Sequence, residues 1–193
     1  PSLDLYARDL GSVTRNELRD PLNRRERVSK LSGGFVEPWT FGERARDWIL
    51  AHAQHFDVIH DNQTLADGIL DLQQAGLPVV TTIHHPISRD LNVALAGASG
   101  WRARLLVRRW HSFLTMQARV AAQLNHIVTV SRASAADIAT DFGVLPSAIQ
   151  VIPNGVDTEL FRALPDVTRK PAQLIATASA DAPLKGLAVL LQA

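Results

Sequence analysis

The sequence predicts an α/β protein built on a parallel sheet with helices on both faces. Three observations predict it. Short strand-like runs, FDVIHD (56–61), LPVVTTIH (77–84), HIVTV (126–130) and IQVI (149–152), alternate with longer stretches of helical periodicity, as in βαβ units. Runs such as VVTTI and HIVTV are apolar or β-branched throughout, which suits strands buried on both sides. Capping and stopping residues stand at the junctions: Ser131 or Ser134 before a helical stretch, Gly76 and Gly143 after one, Pro153 after a strand.

The elements follow in order. Residues 1–39 read as irregular: RNELRDPLNRRERVSK is charged and broken by proline, and LSGGFVEP has turn chemistry. So long a stretch without periodicity indicates either a functional loop or a lost structural context. Thr40 and Glu43 form a capping-box pair, predicting a helix over 41–55. A strand over 56–61 and a helix over 64–74, stopped by Gly76, come next. After the 77–84 strand and a polar loop, apolar residues at 105, 106, 110, 113, 114 and 120 predict one long helix over 101–123. A strand over 126–130, a helix ending at Gly143 and a strand over 149–152 complete the pattern, and a further strand is expected over 173–177. No repeat of solenoid period is visible.

Composition narrows the class. Of 193 residues, 46% are hydrophobic and 20% charged, which excludes disordered and collagen-like chains. No apolar run is long enough to span a membrane, and no signal-peptide pattern opens the chain. Pro1 stands where an initiating Met is expected, so it reads as an internal position. Cysteine is absent, which removes disulfides, thiol catalysis and thiolate metal sites and fits a cytoplasmic setting. Net charge is +1, yet 91–136 holds no Asp or Glu while Arg102, Arg104, Arg108, Arg109, Arg119 and Arg132 fall inside it. That block suits phosphate groups, an anionic membrane surface or an acidic partner, or is a solvated helix face. It lacks interleaved aromatics and any zinc-finger, RRM or KH signature, so no nucleic-acid partner is expected.

Three strands end in polar groups: Asp61-Asn62-Gln63, His84-His85 and Ser131-Arg132. In a parallel sheet these clusters share one rim, where ligands of open α/β sheets bind. His84 is then either a hydrogen-bonded structural residue or a catalytic one. Metal ligation by His84 and His85 is not expected, because adjacent residues of an extended chain point in opposite directions. The hydrolase elbow GxSxG, the Walker loop and the GxGxxG fingerprint are all absent. In VIPNGVDTELF (151–161) a strand, a proline stop and an Asn154-Gly155 turn form a crossover or an ordinary surface turn. ASADAPLKG (178–186) joins a strand-like run to a helix-like one, and Lys185 at the helix start either meets a phosphate or is solvated.

Taken together, FDVIHDNQ, PVVTTIHHP, HIVTVSRASAADIATDFGV, IQVIPNGVDTELF and LIATASADAPLKGLAVLLQA resemble glycosyltransferase family 4. These are retaining enzymes of the GT-B fold and include glycogen synthase and phosphatidylinositol mannosyltransferases. The resemblance covers about residues 56–193, while PSLDLY and GFVEPWTFGERARDW resemble a smaller actinobacterial-type branch. It implies two Rossmann-like domains: an acceptor-side domain over 1–153, lacking its first strands, and the hinge and start of a nucleotide-sugar-binding domain over 154–193. The reaction implied is transfer of a hexose from a donor such as UDP- or GDP-hexose to a hydroxyl of a lipid, glycan or small molecule, with retention. By resemblance His84 lies near the donor sugar, Ser131 on the neighbouring strand end, Asn154 and Gly155 in the hinge, and Lys185 with Gly186 at the donor pyrophosphate. Neither cofactor nor metal is implied, since Lys and the helix N-terminus supply the positive charge. The setting implied is cytoplasmic, with peripheral contact between the basic block and an anionic inner membrane face.

Two departures stand out. The family carries an Arg five or six residues before the Lys, where this chain has Ala180 and Ser179. The Gly-rich acceptor loop and the downstream Glu-x7-Glu pattern are missing, which marks the chain as a fragment of a larger enzyme. Other GT-B enzymes, an epimerase or a phosphorylase, and a non-catalytic sugar-nucleotide-binding protein remain as alternatives. An incomplete domain leaves apolar faces uncovered. The chain made alone is therefore expected to associate or melt broadly; a sharp two-state melt of a monomer would contradict this.

Overall fold

Four strands, β1 (Ile59–Asn62), β2 (Val79–Thr82), β3 (Ile127–Thr129) and β4 (Ile149–Val151), form one parallel sheet in the order β1-β2-β3-β4. The computed structural model describes residues 10–165, 167–168, 170–176 and 187–192, and the chain divides into two compact units, 1–153 and 154–193. Each strand lies beside its predecessor, and right-handed crossovers then carry every connection over the same face. On that face α3 (Asp67–Gln74), α6 (Leu114–Ala121) and α7 (Arg132–Phe142) bury a single core. Ile59, Val79 and Ile127 of the strands meet Ile69, Leu72, Val120, Ile138 and Phe142 of the helices there. The alternate strand positions, His60, Val80, Thr82, Val128 and Gln150, are half-buried or exposed. The expected α/β sheet is therefore present, and among the described residues the core helices seal one of its faces.

The amino-terminal region is more regular than its sequence suggests. Asp20 accepts a hydrogen bond from the Leu22 amide at 2.8 Å, Pro21 follows at the first helical position, and α1 runs over Pro21–Leu31. Its buried residues are Asn23, Glu26 and Ser29, so no apolar stripe advertised it. Glu26 is the centre of a polar seam to α2 (Glu37–Ala51): Arg44 Nη1 and Thr40 Oγ1 each reach its Oε1 at 2.6 Å, and Arg44 Nη2 donates to Asn23 Oδ1 at 2.7 Å. A buried carboxylate needs such donors. Thr40 therefore serves Glu26 rather than capping a helix, and α2 begins at Glu37, four residues before the expected start.

Other boundaries shift for comparable reasons. The expected helix over 101–123 is α5 (Gly100–Trp110), a 3₁₀ turn at His111–Phe113, and α6. The expected polar loop before it contains α4 (Ser88–Gly97), which buries no residue. Polar ties hold α4 instead: Arg89 reaches Asp137 at 2.9 Å and Asp141 at 3.0 Å, and Ser88 Oγ donates to Asp141 at 2.5 Å. Ser131 and Gly143 behave as read. The Ser131 hydroxyl accepts from the Ser134 amide at 3.0 Å, and Gly143 ends α7 at φ +68°.

In the second unit the Asp157 side chain accepts from the amides of Glu159 and Leu160, closing a turn. Residues 173–176 form no strand, and Thr177 lies outside the described residues. A short helix, α8 (Leu187–Gln192), ends the description. No helix among the described residues is long and apolar enough to cross a membrane.

Helices α2 and α3 approach closely, and two glycines permit it. A Cβ on Gly42 would lie 2.2 Å from the Ala66 Cβ, and one on Gly68 would lie 2.2 Å from the Gly42 carbonyl oxygen. Side chains cannot interdigitate at that spacing, so the two backbones touch. Gly42→Ala is expected to force the helices apart and to cost about 1–3 kcal/mol of unfolding free energy, measurable by urea denaturation. An unchanged midpoint would mean that the contact relaxes freely.

Candidate functional site

The site begins where β1 ends. Asp61, only 4% exposed, turns inward and accepts the amides of Thr64 and Leu65, each at 3.1 Å. From the other side Gln117 Nε2 of α6, itself buried, donates to the Thr64 carbonyl at 3.1 Å and the Gln63 carbonyl at 3.4 Å. Backbone donors and acceptors of the turn are thereby satisfied internally. The turn is tight: Gln63 (φ +62°) and Leu65 (φ +51°) both occupy the left-handed region. It delays the start of α3 to Asp67, three residues after the expected start.

This turn aims Asn62 and Gln63 at the end of β2. His84 Nε2 lies 2.9 Å from Asn62 Oδ1. An amide oxygen only accepts, so Nε2–H donates and Nδ1 takes no part in that bond. The Gln63 amide brackets the same segment, accepting from the His84 N–H at 2.7 Å and donating to the His85 carbonyl at 2.8 Å. Three hydrogen bonds thus fix an exposed imidazole and its backbone. One step back along the strands, His60 Nε2 and Thr82 Oγ1 are 2.8 Å apart. His85 points elsewhere, its Nε2 lying 3.5 Å from Asp90 of α4.

Parallel pairing puts these ends and the end of β3 on one rim, with β2 hydrogen-bonded to β3 up to Ile83 and Val128. Ser131 stands on that rim, but its hydroxyl is engaged in capping, accepting from the Ser134 amide and donating to Ser134 Oγ at 3.0 Å. Asn154 and Gly155 are exposed at the start of the second unit. Lys185 and Gly186, like Ser179 and Ala180, lie outside the described residues. No cluster of His, Asp and Glu suited to a metal ion occurs among the described residues.

A cavity of about 340 Å³ opens beside Asn62 and Gln63, walled by Phe35, Glu37 and Phe41 on one side and by Gln117 on the other. Nothing in the sequence announces Glu37, which falls in a stretch read as turn. One of its carboxylate oxygens, Oε2, is buried without a hydrogen-bond partner. Burial, and then the charge of Glu26, hold its carboxyl above the usual range against the pull of nearby backbone amides and Lys30. The cavity therefore combines an apolar wall, a carboxyl able to accept from a hydroxyl, and two amide side chains next to an imidazole. Such a set suits a polyhydroxylated ligand.

Two arginines of the basic block are spent on structure. Arg119 pairs with Asp67, and Arg109 donates to Ser112 Oγ at 3.1 Å and Ser32 Oγ at 2.9 Å. Arg102, Arg104, Arg108 and Arg132 are exposed, and α5 also exposes Trp101, Leu105 and Leu106.

The profile of Glycosyltransferase Family 4 matches residues 3–160. Over its whole length the chain is 47% identical to an MMP alpha-(1->4)-mannosyltransferase of Mycolicibacterium hassiacum, and it spans 47% of that relative's length. Coverage by the family profile of more than half the chain, on an α/β unit with a parallel sheet, decides the assignment: the chain belongs to glycosyltransferase family 4.

Proposed function

We propose that the enzyme to which this chain belongs transfers a hexose, by analogy with its relative a mannose, from a nucleotide-sugar donor to an acceptor hydroxyl with retention of configuration. The observation that carries this reading is His84, held by Asn62 and Gln63 at the strand-end rim beside the cavity that contains Glu37. In this reading the acceptor, a glycan, lipid or small molecule, enters through that cavity in residues 1–153. The donor belongs to the domain that begins in residues 154–193. Asn154 and Gly155 serve as hinge, and the Ser131 end of β3 faces the donor.

His84 contacts the transferring sugar as the bond to the leaving group weakens. A fixed imidazole costs little reorganisation at that moment. Lys185 and the amide of Gly186 hold the departing pyrophosphate, so that no metal or cofactor is required. With Ser179 and Ala180 in place of the usual Arg, the companion cation comes from another residue of the enzyme. The exposed Arg102, Arg104 and Arg108 with Trp101 and Leu105 on α5 suit peripheral contact with an anionic membrane face in the cytoplasm.

Two substitutions in the full-length enzyme test the roles. Lys185→Ala is expected to weaken donor binding about tenfold or more, read by calorimetric titration of the donor; unchanged affinity would remove Lys185 from the pyrophosphate. His84→Ala is expected to lower kcat about 10²-fold while donor affinity stays within about twofold. Turnover at the wild-type rate would exclude His84 from the site.

A further inference from the structure

A second cavity, of about 420 Å³, adjoins the one beside β1, and Phe35 and Phe113 line both. The Phe113 ring stands edge-on to Phe35 at 5.3 Å, so this aromatic pair forms the threshold between two rooms. The further room is enclosed by α1, the start of α2 and the 3₁₀ turn before α6. Its volume falls within the range of small-molecule sites, about 300–1,000 Å³.

Its walls are apolar and aromatic on one side and polar on the other. Trp39, Met116 and Phe113 supply the apolar side. On the polar side Ser29 is 4% exposed, and its hydroxyl is buried without a hydrogen-bond partner. Arg109 spends two N–H groups on the neutral hydroxyls of Ser32 and Ser112, which leaves further donors of its fork unspent. The Arg25 guanidinium carbon lies over the Trp39 ring, 4.1 Å from its centroid. The one carboxylate lining the room, Asp67, is paired with Arg119.

Gly34 keeps this polar corner open. A Cβ there would lie 2.6 Å from Arg109 Nη1 and 2.7 Å from Ser29 Oγ. A larger residue would displace the guanidinium or the hydroxyl, so the backbone has withdrawn to let both stand together. An unpaired buried hydroxyl is costly, and a ligand that bonds to it recovers that cost. A lipid tail would leave the corner unsatisfied. A bare inorganic anion would leave the aromatic wall unused. A pyranose ring satisfies both sides, with C–H groups against the aromatics and hydroxyls toward Ser29 and Arg109.

We propose that this room is a second acceptor subsite, holding the sugar unit that precedes the one whose hydroxyl reacts, so that the enzyme extends oligosaccharides in preference to single sugars. The proposal rests on the glycosyltransferase reading above. Ser29, Arg109 and the Phe113 wall then set acceptor length, whereas Glu37, Asn62 and His84 serve the reacting unit.

The test uses the full-length enzyme, the mannose nucleotide (GDP- or UDP-linked) that supports turnover, and α-(1→4)-linked mannosides of one and two units as acceptors. Wild type is expected to favour the two-unit acceptor in kcat/KM by about tenfold or more. Arg109→Ala should collapse that preference about tenfold through KM. Because Arg109 also ties α5 to the segment after α1, two further variants guard the result. Val28→Trp, at a position 65% exposed on the cavity's edge, fills the room without removing a buried group and should collapse the preference equally. Ser29→Ala should raise KM for the two-unit acceptor about threefold or more while leaving the melting temperature unchanged or higher, since it deletes an unpartnered hydroxyl. A wild type indifferent to acceptor length, or a preference that survives all three variants, overturns the subsite alone. A folded enzyme that transfers to neither mannoside overturns the reading of a glycan acceptor in the first cavity and the subsite with it.

Discussion

One buried carboxylate organises the functional end of this unit. Asp61 takes the two amides that β1 would otherwise leave unsatisfied as it turns toward α3, and Gln117 takes the carbonyls of the same turn. Asn62 and Gln63 can point at His84 only because that turn is closed, and α3 starts where it does only because of the two residues at positive φ. The α2–α3 glycine contact then places Phe35 and Glu37 over the same rim. Removing the carboxylate would strand several groups in a dry environment at once, which costs more than the sum of the separate bonds.

A polar seam does for α1 and α2 what a hydrophobic core does elsewhere. Glu26, Arg44, Thr40 and Asn23 lock the first two helices through short bonds at a site where Glu26 is 1% exposed. Such seams add little net stability compared with an apolar interface, but they tolerate only one register. Residues of α1 and α2 line the two cavities, so their shape depends on that register. The two cavities are therefore bounded by helices held through residues whose energetic role is geometric rather than cohesive.

These two features explain what could be read in advance. The strands, α3, α7 and its Ser131 and Gly143 caps announced themselves, because burial of Ile59, Val79, Ile127 and Ile138 imposes periodicity on a sequence. The rim of Asn62, Gln63, His84 and Ser131 followed from parallel pairing alone. Helices α1 and α4 could not be read, because they face their neighbours with Glu26 and Arg89 instead of an apolar stripe. Thr40 and Glu43 sat three residues apart within a helix rather than at its start, since local spacing cannot reveal a carboxylate 14 residues upstream. Glu37 was hidden for the same reason: its environment is made by α1 and by the end of β1, both remote in sequence.

Leu65 carries a consequence for anyone who would improve this protein. Its backbone is left-handed, which costs a residue with a Cβ about 1–2 kcal/mol, while its side chain is fully buried and contributes about 1.5–3 kcal/mol. Glycine would relax the backbone and empty the core; a larger or branched residue would fill the core and worsen the backbone. The two demands meet in a single compromise. A strategy that scores backbone fit alone will recommend glycine at this position, and it will be misled.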